Sequence, residues 1–108
     1  GKPLSKSQAN QFALVEIATD VKLGRAFTEK LVAEHMERKD IIVETSMAKY
    51  WTTDMLNRVA NRSLDLCGDF AISEKCPIVR AWRDAKIMTI FAGTNEIMKG
   101  IAARFMRL

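Results

Sequence analysis

A chain of 108 residues, 48% of them hydrophobic and 28% charged, has room for one domain and enough apolar content to bury a core. Its formal net charge of +4 is a modest basic excess, which suits a solubilising surface, and no basic, aromatic-interleaved stripe is present to track nucleic acid. No apolar run approaches the roughly 20 residues needed to span a bilayer, and no signal-peptide pattern opens the chain.

The first long segment runs from about Ser7 to Glu37. Leu14, Ile17, Val21, Gly24, Thr28 and Leu31 recur at steps of three and four, and Phe12, Val15, Phe27 and Val32 widen the stripe. This period predicts an amphipathic helix. The charged cluster Glu37–Asp40 reads as a solvated turn, with His35 a surface residue beside it.

A second helix is predicted over Ile42 to Cys67, with Ala48, Trp51, Met55, Val59 and Leu66 on one face and Lys49, Asp54, Arg58 and Arg62 elsewhere on the wheel. Gly68 is placed to terminate it through a left-handed turn. Asp69 to Lys75 reads as irregular. Pro77 then suits the first turn of a short third helix reaching Thr89, where its missing N–H costs nothing. Phe91–Ala92–Gly93 breaks the pattern, and Thr94 is predicted as the N-cap of a last helix carrying Ile97, Ile101 and Phe105 to about Met106. Two long and two short helices with tight connections predict an all-α fold, an antiparallel up-and-down four-helix bundle.

Chemistry is sought where helical rules are interrupted. Cys67 and Cys76, with only His35 as a further soft ligand, make no zinc or haem spacing, and they read as reduced thiols. Gly93–Thr94–Asn95–Glu96 places a glycine just before a helix N-terminus, where free N–H groups and the positive end of the dipole favour an anion. On local physics alone such a turn more often caps its helix and binds only water. The broad apolar stripes, with Phe12, Phe27 and Trp51 spread around them, exceed what one small bundle buries and point to a contact surface.

An ordered set of motifs carries a resemblance over essentially the whole chain. Arg83 to Arg104, RDAKIMTIFAGTNEIMKGIAAR, resembles the closing segment of acyl-CoA dehydrogenases, where R-D-A-[KR]-I leads into a [EAG]-G-T-[SN]-E-I turn. SMAKYW at 46–51, followed by Asn57–Arg58–Val59–Ala60, resembles the preceding helix. LDLCGDFAISEKCP at 64–77 stands where the family carries Q-x-x-G-G-x-G-Y…Y-P. Gly1–Lys2–Pro3–Leu4 matches the end of R-x-x-F-G-K-P-[IL], and Gln8 matches a glutamine shortly after it. The Gly–Thr–Asn–Glu–Ile–Met–Lys run is similar to the long-chain type.

This resemblance implies that residues 1–108 form the C-terminal helical domain of a longer, flavin-dependent chain, which assembles as a homodimer or homotetramer. FAD would lie between domains and reach a neighbouring subunit. Gln8, Thr94 and Glu96 correspond to cofactor-binding positions. Asp65, Gly68 and Asp69 correspond to the loop that meets a partner's FAD, and Gly93 to a position beside the acyl-CoA thioester. The implied reaction is α,β-dehydrogenation of an acyl-CoA, with electrons passed to an electron-transfer flavoprotein or similar acceptor. The implied location is the cytoplasm in a bacterium and the mitochondrial matrix in a eukaryote.

Three departures stand out. Ala92 occupies the position where many members place the catalytic glutamate, so only its backbone N–H is left to polarise a thioester. Either the base lies on an earlier helix, as in long-chain and branched-chain members, or the chain is an inactive subunit that completes a partner's site. Asp65 replaces a glutamine and Asp69 a glycine, adding charge that repels a diphosphate unless it is screened.

Overall fold

A computed structural model describes residues 4–68 and 75–108. After a short 3₁₀ turn at Leu4–Lys6 come four helices: α1 (Gln8–Met36), α2 (Ile42–Cys67), α3 (Pro77–Met88) and α4 (Asn95–Phe105). The all-α, four-helix reading of the sequence is met. Three boundaries have the expected local cause. Gly68 ends α2 at φ 58°, Pro77 occupies the first turn of α3, and the Thr94 hydroxyl accepts from the Ile97 amide at 3.2 Å. At the start of α2, Asp40 Oδ1 accepts from the Ile42 amide at 3.3 Å and stands in for the missing side-chain cap of Ile41.

Helix α2 is the axis of the domain, because α1, α3 and α4 each pack on it more than on one another. The α1–α2 pair is antiparallel, as the ion pairs Arg62–Glu16 (2.6 Å) and Arg58–Asp20 (3.6 Å) show. Gly24 lets the two backbones approach: a Cβ there would stand 2.8 Å from Met55 Cε and 3.3 Å from Trp51 Cζ3. On the other side, Trp82 meets Asn61, Ala85 meets Asn57, and Asn95 meets Asp54, so α3 and α4 both run antiparallel to α2. They therefore follow one another along it in the same sense, separated by the turn at residues 89–94. The bundle is three helices thick, with its last layer interrupted.

The core is narrow. Leu31, Met55, Ala60, Cys76, Val79, Ala85 and Ala102 are its buried apolar residues among those described, and three of them are alanines that permit close helix contact. Of the 29 residues of α1, only Gly24 and Leu31 are buried. Phe12, Val15, Leu23, Val32 and Met36 are more than half exposed on this helix. Of the three aromatic residues from which the sequence anticipated an apolar excess, Phe12 is exposed on α1, whereas Phe27 and Trp51 are half-buried.

Candidate functional site

A stripe of polar residues at four-residue spacing, Lys49, Thr53, Asn57 and Asn61, runs along α2 and forms the seam on which α3, the turn and α4 sit. Four-apart residues make a continuous ridge on a helix, so a polar ridge gives a line of hydrogen-bonding groups facing one neighbour. Asn61 Oδ1 accepts from Trp82 Nε1 at 2.6 Å, and Asn57 Nδ2 donates to the Ala85 carbonyl at 2.8 Å. Lys49 Nζ donates to the Gly93 carbonyl and to Asn95 Oδ1, both at 2.7 Å. Asn95 is the most buried polar residue described, at 3% exposure. Its Nδ2 donates to Asp54 Oδ1 at 2.8 Å and Thr53 Oγ1 at 2.9 Å. Both ends of this buried amide are therefore satisfied, as burial of such a group requires.

The turn above this seam has an unusual backbone. Ala92 at φ 57° and Gly93 at φ 111° are two successive residues in the left-handed range. For alanine that conformation costs roughly 1–2 kcal/mol, so neighbouring contacts must hold it. Phe91 N–H donates to the Ile87 carbonyl and Asn95 N–H to the Thr89 carbonyl, each at 3.0 Å, which closes the turn at both ends. Among the described residues, the amides of Ala92, Gly93, Thr94 and Glu96 donate to no protein acceptor. Ala92 and Glu96 are exposed, while Gly93 and Thr94 are half-buried. The start of α4 is thus pinned from below and open above. Its outward amides, the positive end of the helix and the Lys49 ammonium beneath suit a ligand that presents acceptor oxygens.

The other sequence-derived positions lie elsewhere. Asp65 and Gly68 are exposed at the C-terminal end of α2, about 16 Å from Asp54 and about 28 Å from Lys49 along the helix, respectively, at 1.5 Å per residue. The register of Glu16 with Arg62 puts the exposed Gln8 at that same end. Asp69 lies outside the described residues. The candidates therefore form two groups: Gly93, Thr94 and Glu96 with the Ala92 amide at mid-α2, and Gln8, Asp65 and Gly68 at its far end. The far end has different chemistry. The Gly68 amide donates back to the Asp65 carbonyl, no basic residue occupies the last turn, and the helix dipole is negative there. Hydroxyl donors suit that end better than phosphate does.

Cys67 and Cys76 flank the α2–α3 connection as free thiols within hydrogen-bonding contact of each other. Burial, and then the neighbouring Cys76 thiol, push the Cys67 thiol above its ordinary range. Among the described residues no group of three or more His, Cys, Asp or Glu is arranged to hold a metal ion. No described helix is long and apolar enough to cross a membrane.

The fold and the open amides at the start of α4 describe an all-α domain, and comparison with known proteins identifies its kind. Residues 1–107 match the family described as acyl-CoA dehydrogenase, C-terminal domain. The chain belongs to the acyl-CoA dehydrogenase family. It is 36% identical over 104 residues to the mitochondrial long-chain specific acyl-CoA dehydrogenase of Rattus norvegicus, a match covering 96% of this chain and 24% of that protein. With the short-chain specific acyl-CoA dehydrogenase of Megasphaera elsdenii it shares 34% over 97 residues, covering 90% and 25%. The crystal structure of an acyl-CoA dehydrogenase from Geobacillus kaustophilus superposes with a TM-score of 0.96 at 45% identity, covering all of this chain and 28% of that one. The chain spans about a quarter of the length of the curated relatives it matches.

Lys49 and Asn95 are the site residues that single-helix reasoning passed over. The wheel groups Lys49 and Asp54 with solvent-facing charges, whereas the structure turns both towards α4. The four-residue repeat of Lys49, Thr53, Asn57 and Asn61 was the available signal.

Proposed function

We propose that this chain is the C-terminal FAD- and acyl-CoA-binding, oligomerising domain of a longer flavin-dependent acyl-CoA dehydrogenase. The observation that carries the reading is the open start of α4, with amides at 92–94 and 96 that have no described protein acceptor. When bound there, FAD supplies the hydride acceptor for α,β-dehydrogenation. The Ala92 amide hydrogen-bonds the thioester oxygen, which stabilises the negative charge that grows as the α-proton leaves. That role needs only a backbone N–H, so alanine can fill it. Gly93, whose positive φ and close contact with the Met98 side chain leave no room for a Cβ, lies beside the thioester, and Thr94 and Glu96 border the cofactor. Because Ala92 bears no carboxylate, the base that takes the α-proton comes from a helix upstream in the complete chain.

At the other end of α2, Gln8, Asp65, Gly68 and Asp69 meet the FAD of a neighbouring subunit. Asp65 there accepts from hydroxyl groups, and the phosphates lie away from it. The exposed apolar face of α1 supports assembly into a homodimer or homotetramer. The reduced enzyme passes its electrons to an electron-transfer flavoprotein or a similar acceptor. The protein works in the cytoplasm of a bacterium or the mitochondrial matrix of a eukaryote.

The substitution at Ala92 also favours a second reading, an inactive subunit that completes a partner's site. One experiment separates the two. The full-length protein, purified with its flavin and mixed anaerobically with acyl-CoAs of graded length, is expected to lose its visible flavin absorption with at least one of them. Retained flavin that no acyl-CoA bleaches would establish the inactive subunit. The 108-residue chain alone is expected to hold no stoichiometric FAD.

A further inference from the structure

We propose that Lys49 is a positioning residue that aims the Thr94 amide, and with it the turn at 92–94, towards the ligand. The proposal rests on the reading of this turn as ligand-facing. In a trans peptide the carbonyl and the following N–H point in opposite directions, and no described peptide bond is cis. Lys49 Nζ, 2.7 Å from the Gly93 oxygen, holds that carbonyl towards α2. The Thr94 N–H of the same peptide plane therefore points away from α2, and no described protein acceptor meets it.

The ammonium is itself held in place. Its second bond, to Asn95 Oδ1, is also 2.7 Å, and Asn95 is anchored in turn through Nδ2 to Asp54 Oδ1. A cation on one side and a carboxylate on the other leave the Asn95 amide only one favourable orientation. Lys49 forms no ion pair among the described residues, since both its acceptors are uncharged oxygens. Its full charge therefore stands beneath the turn and strengthens donors directed outward from it. The brace acts at the joint that most needs it. Gly93, at φ 111°, has the conformational freedom to swing this peptide plane, whereas the next peptide is already pinned by Asn95 N–H donating to the Thr89 carbonyl and by the Thr94 carbonyl accepting from Met98 N–H.

Lys49→Met keeps most of the side-chain stem and removes the donor and the charge. In the full-length, flavin-bound protein two readouts are taken together. Hydrogen–deuterium exchange of peptides covering residues 90–98 is expected to rise about tenfold or more, with peptides from α1 unchanged. The rate of anaerobic flavin bleaching by saturating acyl-CoA, expressed per bound flavin, is expected to fall on the order of 10- to 100-fold, the usual effect of misplacing or losing one aligned donor. A purely structural role would lower flavin content or thermal stability and leave the per-flavin rate intact. Lys49→Gln, which retains a neutral donor, is expected to fall between wild type and methionine, and it is the variant read if Lys49→Met does not fold. Wild-type bleaching matched by the variant, or unchanged exchange at 90–98, overturns this proposal alone. A wild-type flavin that no acyl-CoA bleaches overturns the dehydrogenase reading and this proposal together.

Discussion

Truncating the seam one asparagine at a time tests whether the polar ridge of α2 holds α3 and α4 as described. Asn95→Ala removes a buried amide whose partners include an ammonium and a carboxylate, Lys49 and Asp54. Hydrogen bonds to charged groups contribute about 1.5–3 kcal/mol each, and stranded partners in a half-buried site recover only part of this from water. The net cost is therefore about 2–4 kcal/mol. Asn57→Ala breaks neutral bonds to the Thr53 and Ala85 carbonyls. That loss of about 1–2 kcal/mol is offset by roughly 0.5 kcal/mol of better helix propensity, leaving about 1 kcal/mol. Asn61→Ala frees Trp82 Nε1 at an exposed position where water replaces the lost acceptor, so the same propensity gain makes it nearly neutral. Urea unfolding followed by helical circular dichroism should rank the three variants in that order. An Asn61→Ala loss equal to or larger than that of Asn95→Ala would refute the reading of the buried Asn95 amide as the strongest polar contact of the seam.

Two further outcomes follow from the packing. Gly24→Ala should change the urea midpoint little, because about 1 kcal/mol of helix propensity offsets the shift demanded of the flexible Met55 terminus. Gly24→Val directs a branch at the Trp51 ring and should cost about 1–3 kcal/mol; a valine variant as stable as the alanine one would contradict the close approach of α1 and α2. Cys67 has its folded pKa raised, so as pH climbs the unfolded chain releases this proton first and stability falls through the alkaline range, while its contribution is complete below the unfolded value. Cys67→Ala should flatten that alkaline slope in denaturation curves. A steeper slope in the variant would mean the thiol is not held protonated.

The elements were legible in the sequence because their ends carry strong local signals. Gly68, Pro77 and Thr94 act at α2, α3 and α4 through backbone geometry and capping, which need no knowledge of the rest of the fold. The motif around Gly93 located the turn whose amides have no described protein acceptor. Its support was hidden for a physical reason: a lysine on a helix wheel reads as solvated until a second helix arrives to cover it, and Lys49 meets Asn95 across 46 positions of sequence. The relation of α3 to α4 was hidden likewise, since their common direction is set by contacts each makes with α2. The two clusters of site residues, at mid-α2 and at its far end, also required the antiparallel register of α1 and α2 to be seen apart.

On the reading proposed above, the start of α4 receives the thioester of an acyl-CoA. A crystal structure of the full-length protein with FAD and a 2,2-dimethylacyl-CoA, which has no α-proton to lose, tests this most directly. The thioester oxygen is expected within about 3.2 Å of the Ala92 amide nitrogen. A carbonyl bound elsewhere, with the 92–94 turn covered by another segment of protein, would contradict it.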